Sequence, residues 1–147
     1  MKNTRGNFWG LGASMITLAM ILAMFGVSCK KNSDDNIIFQ GTYVGTLSMG
    51  FYSEPDTISI TSGSSSSSVV MNSRTGAGST FSLNGTVSGA KLSIPEQSVY
   101  DSNLNTTYTV SGSGTLSNNN NSLLINYIYV TSSSTTYYWD FSGTKLI

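Results

Sequence analysis

Histidine is absent from the 147 residues of the sequence. Histidine is the commonest side chain that exchanges protons near neutral pH, the usual activator of a nucleophilic serine, and the commonest metal ligand. The many serines therefore have no evident activating base. The sequence predicts no catalytic residue and no metal site, and we expect a protein that is not an enzyme and needs no cofactor.

Charged residues are also scarce, at 10% of the chain, with seven basic and seven acidic side chains. The sequence has no basic patch, which argues against nucleic acid as a partner. Glu54 and Asp56 flank Pro55, and Asp101 lies in a polar stretch. We interpret all three acids as solvated loop residues, because a calcium site or a pair of catalytic carboxylates would require them to converge.

The chain has one cysteine, Cys29, which therefore cannot form an intramolecular disulfide. A basic start and an apolar run over residues 11–27 precede it, and the small residues Gly26 and Ser28 stand just before it. These features predict an export signal over residues 1–28 that is removed before Cys29. The alternatives are soluble secretion and an uncleaved transmembrane helix, for which the apolar run is close to the minimum length.

The segment around Cys29 resembles the lipobox of bacterial lipoproteins, with Gly26 where that family usually has leucine. The resemblance implies that Cys29 carries a diacylglycerol and an acylated amine, and that the membrane is a partner through this lipid anchor. Residues 29–38 then form a charged tether. Its sequence is similar to lipoproteins of the Bacteroidetes group, which implies an outer-membrane location. Display at the cell surface and a plain solvated spacer both explain its acidic residues.

From residue 39 onward, short alternating runs are interrupted by turn residues, which is typical of an all-β antiparallel meander. We predict about eight or nine strands over residues 39–147, and favour a closed barrel over a β-sandwich. The first strand is predicted to begin at Phe39. Asn84-Gly85 predicts a tight hairpin, and Pro95 is predicted to end a strand over residues 87–94.

The last hairpin has the clearest register. If Ser132–Ser134 forms its loop, one face of the hairpin is aromatic or aliphatic and Asp140 lies on the other face. A shift by one residue would bury the unpaired charge of Asp140. We therefore predict inward cross-strand pairs of Tyr129 with Tyr137, Tyr127 with Trp139, and Ile125 with Phe141.

The first and last strands of the predicted barrel each resemble the corresponding strand of one known family. Gly41-Thr42-Tyr43 resembles the Gly-x-Trp opening of calycins, the lipocalin-like barrels, with tyrosine in place of tryptophan. Phe141–Lys145 is similar to their closing strand, in which a cation packs across the first aromatic ring. The resemblance implies a calycin-like barrel in which Lys145 contacts Tyr43.

Two hypotheses for the function remain open. In the first, the barrel binds a small apolar or glycan ligand, Gly41 and Gly45 leave space for it, and Phe51 and Tyr52 form the rim of the site. In the second, the barrel is a structural or interaction protein with a filled core, and the two rim aromatics close that core. The sequence identifies no protein partner. The candidate interior residues are Tyr43, Tyr127, Tyr129, Tyr137, Trp139 and Phe141.

Overall fold

The computed structural model describes residues 35–74, 78–117 and 119–147. Cys29 and the predicted signal lie outside these ranges. Within them, no helix is long and apolar enough to cross a membrane. The elements are a short helix and eight strands: α1 Asp35–Phe39, β1 Gly41–Met49, β2 Tyr52–Ser62, β3 Ser68–Arg74, β4 Thr80–Ser88, β5 Lys91–Asp101, β6 Thr106–Ser117, β7 Ser122–Thr131 and β8 Thr136–Lys145.

The eight strands form a closed barrel. Each strand pairs antiparallel with the next one in the sequence, and β8 pairs with β1 to close the sheet. The strands follow the period-two alternation of the sequence: in β4, Phe81, Leu83 and Val87 are buried, whereas the intervening polar residues are exposed. The predicted all-β class and the barrel are confirmed, and the sandwich alternative is wrong.

One end of the barrel, here called the closed end, is covered by α1. The Asn36 amide and its side-chain Nδ2 each donate a hydrogen bond of 3.2 Å, to the carbonyls of Ser66 and Ser65 in the β2–β3 loop. Phe39, the last residue of α1, is fully buried, and its carbonyl accepts a 2.9 Å hydrogen bond from the Tyr43 hydroxyl. The expectation that Phe39 begins the first strand is therefore wrong, because this residue ends the helix that packs on the barrel.

Lys145 fastens the last strand to the first at the closed end. Its Nζ lies 5.8 Å from the centre of the Tyr43 ring and donates a 3.4 Å hydrogen bond to the Ile38 carbonyl. The predicted contact between Lys145 and Tyr43 is present. Gly41 has a φ of +141°, a backbone conformation that residues with a side chain rarely adopt, so this position requires glycine.

The inward glycines do not leave space for a ligand, which corrects the expectation for Gly41 and Gly45. The Lys145 side chain occupies the space beside Gly41. At Gly45, the β8 backbone at Ser142 and Gly143 approaches so closely that a Cβ would collide with it. Both glycines serve the packing of β1 against β8.

The Asn84-Gly85 pair lies inside β4, so the predicted hairpin at this position is wrong. Gly85 packs closely against the next strand, since a Cβ at this position would lie 2.9 Å from the Leu92 Cδ1. The β4–β5 turn lies at Gly89, whose φ is +55°. β5 then continues through Pro95 with a register shift before Gln97, so the prediction that Pro95 ends the strand is also wrong.

Candidate functional site

The opposite end of the barrel, here called the open end, carries the β1–β2 and β7–β8 connections. The predicted register of the last hairpin is confirmed, with Tyr127 opposite Trp139 and Tyr129 opposite Tyr137. Tyr127, Tyr129 and Phe141 are buried, as is Tyr43. Tyr137 is 39% exposed, so the expectation that it lies in the interior is wrong: it stands near the start of β8, where the barrel ends.

Five aromatic residues surround the open end, and we call them the aromatic mouth: Tyr52, Phe81, Tyr108, Tyr129 and Trp139. The rings of Tyr52 and Trp139 pack edge to face, with centroids 5.8 Å apart. Tyr129 makes similar contacts with Phe81 at 6.2 Å and with Tyr108 at 6.3 Å. Such edge-to-face pairs hold aromatic side chains in defined orientations.

The two predicted rim residues have different surroundings. Tyr52 is half-exposed, belongs to the aromatic mouth, and donates a 2.8 Å hydrogen bond from its hydroxyl to Glu54 Oε2. Phe51 is fully exposed at the β1–β2 turn. Trp139 is partly buried and packs against the core, although we expected an interior position. Tyr52 and Trp139 therefore offer partly accessible ring surface at the open end.

Three polar side chains meet inside the barrel at this end, and we call them the polar cluster: Asp56, Ser73 and Tyr127. Their exposed fractions are 3%, 2% and 1%. Asp56 Oδ2, Ser73 Oγ and the Tyr127 hydroxyl have no hydrogen-bond partner among the described residues. Buried polar atoms without partners are rare in folded proteins and call for an explanation.

The pKa of Tyr127 reflects these neighbours. Burial raises its pKa well above the ordinary value. The Ser73 hydroxyl opposes that increase because it can hydrogen-bond the ionised Tyr127 oxygen, and the Asp56 carboxylate adds to it. Burial also raises the pKa of Tyr129, with smaller contributions from Tyr127 and Asp56. The cluster is thus a coupled group of polar atoms in a desolvated environment.

Asp56 lies in β2, so its interpretation as a solvated loop residue is wrong. Its Oδ1 accepts hydrogen bonds from Arg74 Nε at 3.1 Å and from the Thr57 amide at 2.7 Å. Pro55 is tolerated because β2 pairs only with β1 at this position, and its ladder with β3 begins at Ser59. Arg74 spans the resulting gap and also donates to the Pro55 carbonyl at 3.3 Å.

The β3–β4 hairpin is bound to its neighbours near the open end mainly by side chains. Its ladder with β5 covers only Thr86–Ser88 of β4. Beyond that ladder, the Gln97 side chain makes the hydrogen bonds that a strand backbone would otherwise make. Its Oε1 accepts a 2.8 Å hydrogen bond from the Asn84 amide, and its Nε2 donates a 2.7 Å hydrogen bond to the Asn84 carbonyl. Backbone hydrogen bonding in the barrel is therefore interrupted on both sides of this hairpin, between β2 and β3 and between β4 and β5.

Asp101 organises the β5–β6 connection. It is fully buried, and its Oδ1 accepts hydrogen bonds from the Ser79 hydroxyl at 2.5 Å and from the Asn103 amide at 2.9 Å. The interpretation of Asp101 as a solvated residue is therefore wrong. Across the described part of the chain, no group of three potential metal ligands comes together.

A groove of about 470 Å³ lies on the outer surface of β6, β7 and β8, where Asn126, Ile128, Tyr138 and Asp140 contribute to its lining. We call it the outer groove. The Asn126 Nδ2 donates to Asp140 Oδ1 at 2.6 Å. These two side chains of the outer groove are hydrogen-bonded to each other, in contrast to the three unpaired atoms of the polar cluster.

These features define the class of fold: a closed, eight-stranded antiparallel barrel with a helix over one end and aromatic residues around the other. No protein-family model matches the sequence, and no curated protein matches it. The structure is similar to that of a putative outer membrane protein from Bacteroides fragilis, with a TM-score of 0.54 and 18% identity over 78% of this chain and 53% of that one. This chain thus spans about half the length of that protein.

The structure is also similar to a redesigned β-barrel, with a TM-score of 0.53 and 12% identity over 80% of this chain and 99% of that one. At such low identity, both similarities show the barrel fold alone. They fit the topology described above and assign no ligand or reaction.

Proposed function

We propose that this protein is a non-catalytic, lipid-anchored envelope protein whose barrel binds a small ligand at its open end. The observation that carries the proposal is the polar cluster. A buried polar atom without a partner costs about 1–3 kcal/mol, and three of them lie together beside the aromatic mouth. A ligand that pairs with these atoms would offset that cost.

The envelope location is supported by three observations. Cys29 and the small residues before it form a lipobox-like segment, and the similar Bacteroides fragilis structure is that of a putative outer membrane protein. The outward positions of the strands are largely serine and threonine, whereas the inward positions are apolar. Barrels that span a membrane have the opposite arrangement, which supports attachment by a lipid at Cys29. We further propose display at the cell surface, which the similarity of the tether to Bacteroidetes lipoproteins supports.

A second candidate function is favoured by the packing of the barrel. Its interior is filled by one cluster of buried apolar side chains, and the space beside Gly41 and Gly45 is occupied. A filled core suits a structural or interaction protein without a small-molecule ligand. That function leaves the polar cluster unexplained, so we prefer a ligand site at the open end over a central cavity.

The anchor is tested by expressing the full chain in a bacterium supplied with labelled palmitate. We expect the label on the protein and the protein in the membrane fraction. Cys29→Ser should abolish both, whereas the control Ser33→Ala should change neither. Unchanged labelling and membrane retention in Cys29→Ser would show that the anchor is not a lipid on this residue.

Binding is tested with the fluorescence of Trp139, the only tryptophan outside the predicted signal. Soluble glycan and lipid extracts of the envelope are added separately to the purified full chain. At least one extract should change the emission, because Trp139 belongs to the aromatic mouth. If neither extract has an effect, the filled-core function is the correct one.

A further inference from the structure

We infer that the ligand at the open end is a neutral saccharide, whose ring packs on Trp139 and Tyr52 and whose hydroxyls pair with the polar cluster. The inference rests on the binding function proposed above and specifies its ligand. It follows from the hydrogen-bonding capacity of the cluster, from its charge, and from the position of the aromatic rings beside it.

The unpaired atoms match a partner with several hydroxyl groups. Asp56 Oδ2 can only accept hydrogen bonds, whereas the hydroxyls of Ser73 and Tyr127 can both donate and accept. Vicinal hydroxyls of a sugar can do both as well, so one ring can satisfy all three atoms. A purely apolar ligand would leave the three atoms unpaired and would keep their desolvation cost.

The charge of the cluster favours a neutral ligand. Arg74 Nε lies 3.1 Å from Asp56 Oδ1, so the carboxylate already has a cationic partner. A second cation would be repelled by Arg74, and an anion would be repelled by the buried carboxylate of Asp56. A hydroxyl donor meets neither obstacle, because it hydrogen-bonds the carboxylate without carrying a charge.

The aromatic mouth lies where a sugar ring needs a stacking surface. Trp139 is the cross-strand partner of Tyr127, and its ring contacts that of Tyr52. The C–H face of a sugar packs on aromatic faces, whose π electrons attract its hydrogens. Binding of a ring at the cluster requires rotation of the Trp139 and Tyr52 side chains, which are only partly buried. Such rotamer changes are common on binding.

The test is a titration of the purified full chain, followed by Trp139 emission. Glucose, N-acetylglucosamine and their oligomers serve as neutral probes, while glucosamine and glucuronate are the cationic and anionic analogues of the same rings. Decanol serves as the apolar probe. We expect a saturable change with at least one neutral saccharide and a response at least about tenfold weaker with its charged analogue.

Substitutions then locate the site. Tyr127→Phe and Ser73→Ala remove the unpaired hydroxyls with little change in shape and should each weaken saccharide binding several-fold. Asp56→Asn should weaken it at least about tenfold, since hydrogen bonds to charged groups contribute about 1.5–3 kcal/mol. Asp140→Asn is the matched control on the outer surface and should leave the affinity unchanged. Circular dichroism verifies that each variant is folded.

The outcomes separate this inference from the proposed function. If decanol binds and no saccharide does, the inference is wrong and a ligand function stands. If no probe changes the emission but an envelope extract does, the inference alone is wrong; if neither the probes nor the extracts change it, both are wrong. Saccharide binding that survives all three cluster substitutions would also overturn the inference, because the sugar would then bind elsewhere.

Discussion

The same substitution, tyrosine to phenylalanine, should have opposite effects on stability at two buried positions. The Tyr127 hydroxyl is buried without a partner, so its removal abolishes a desolvation cost of about 1–3 kcal/mol. Tyr127→Phe should therefore raise the free energy of unfolding by about 1–2 kcal/mol. The Tyr43 hydroxyl donates a 2.9 Å hydrogen bond to the Phe39 carbonyl. Tyr43→Phe leaves that carbonyl unpaired and should lower the same free energy by about 1–3 kcal/mol.

These differences are a large part of the total stability of a small domain, which is about 5–15 kcal/mol. Urea denaturation of the ligand-free protein, followed by circular dichroism, measures them directly. The midpoints of the two variants should lie on opposite sides of the wild-type midpoint, with similar m-values. If Tyr127→Phe destabilises the protein as much as Tyr43→Phe does, the Tyr127 hydroxyl is paired in solution and the reasoning about the polar cluster is wrong.

Three further predictions concern the packing of the barrel. Gly45→Ala introduces a Cβ that collides with the β8 backbone, so it should destabilise the barrel by about 1–3 kcal/mol. If urea denaturation shows no loss of stability, the close approach of β1 and β8 at this residue is contradicted. Burial raises the pKa of Tyr43 to about 12, while tyrosine in the unfolded chain titrates near 10. The stability contributed by the neutral Tyr43 side chain should thus be retained below about pH 10 and lost as the pH rises towards 12. Ultraviolet absorbance measures the ionisation of tyrosine, and circular dichroism measures unfolding. Ionisation of Tyr43 near pH 10 in the folded protein would refute its burial. Trp139 is partly buried, so Trp139→Ala should cost less than the roughly 3–5 kcal/mol expected for the fully buried Phe141→Ala, and iodide should quench its emission in part; complete protection would be inconsistent with a position at the open end.

The sequence predicts those parts of the fold that depend on the alternation of apolar and polar residues along a strand and on keeping charged side chains exposed. The register of the last hairpin followed from placing Asp140 outside, because only one register does so while burying Tyr127 and Phe141. The closed barrel and the contact of Lys145 with Tyr43 followed from the strand pattern and from the similarity of the chain ends to calycins.

The candidate site was harder to predict because its residues depend on neighbours distant in sequence. Asp56 looks like a turn residue beside Pro55, and the sequence does not reveal the ion pair with Arg74 from β3 that accompanies its burial in a strand. Ser73 gives no signal among the many serines of the chain. Asn84 and Gly85 pair with Val70 and Val69 of β3, so strand pairing overrides their local preference for a turn.

Ligand binding at the open end is tested most directly by mapping amide chemical shifts of the isotope-labelled protein during titration with a soluble glycan extract of the envelope. We predict that the changes cluster around Tyr52, Asp56, Tyr127 and Trp139, whereas Phe39 and Tyr43 at the closed end are unaffected. The absence of any change, or changes confined to the closed end or to the outer groove, would contradict a ligand site at the aromatic mouth.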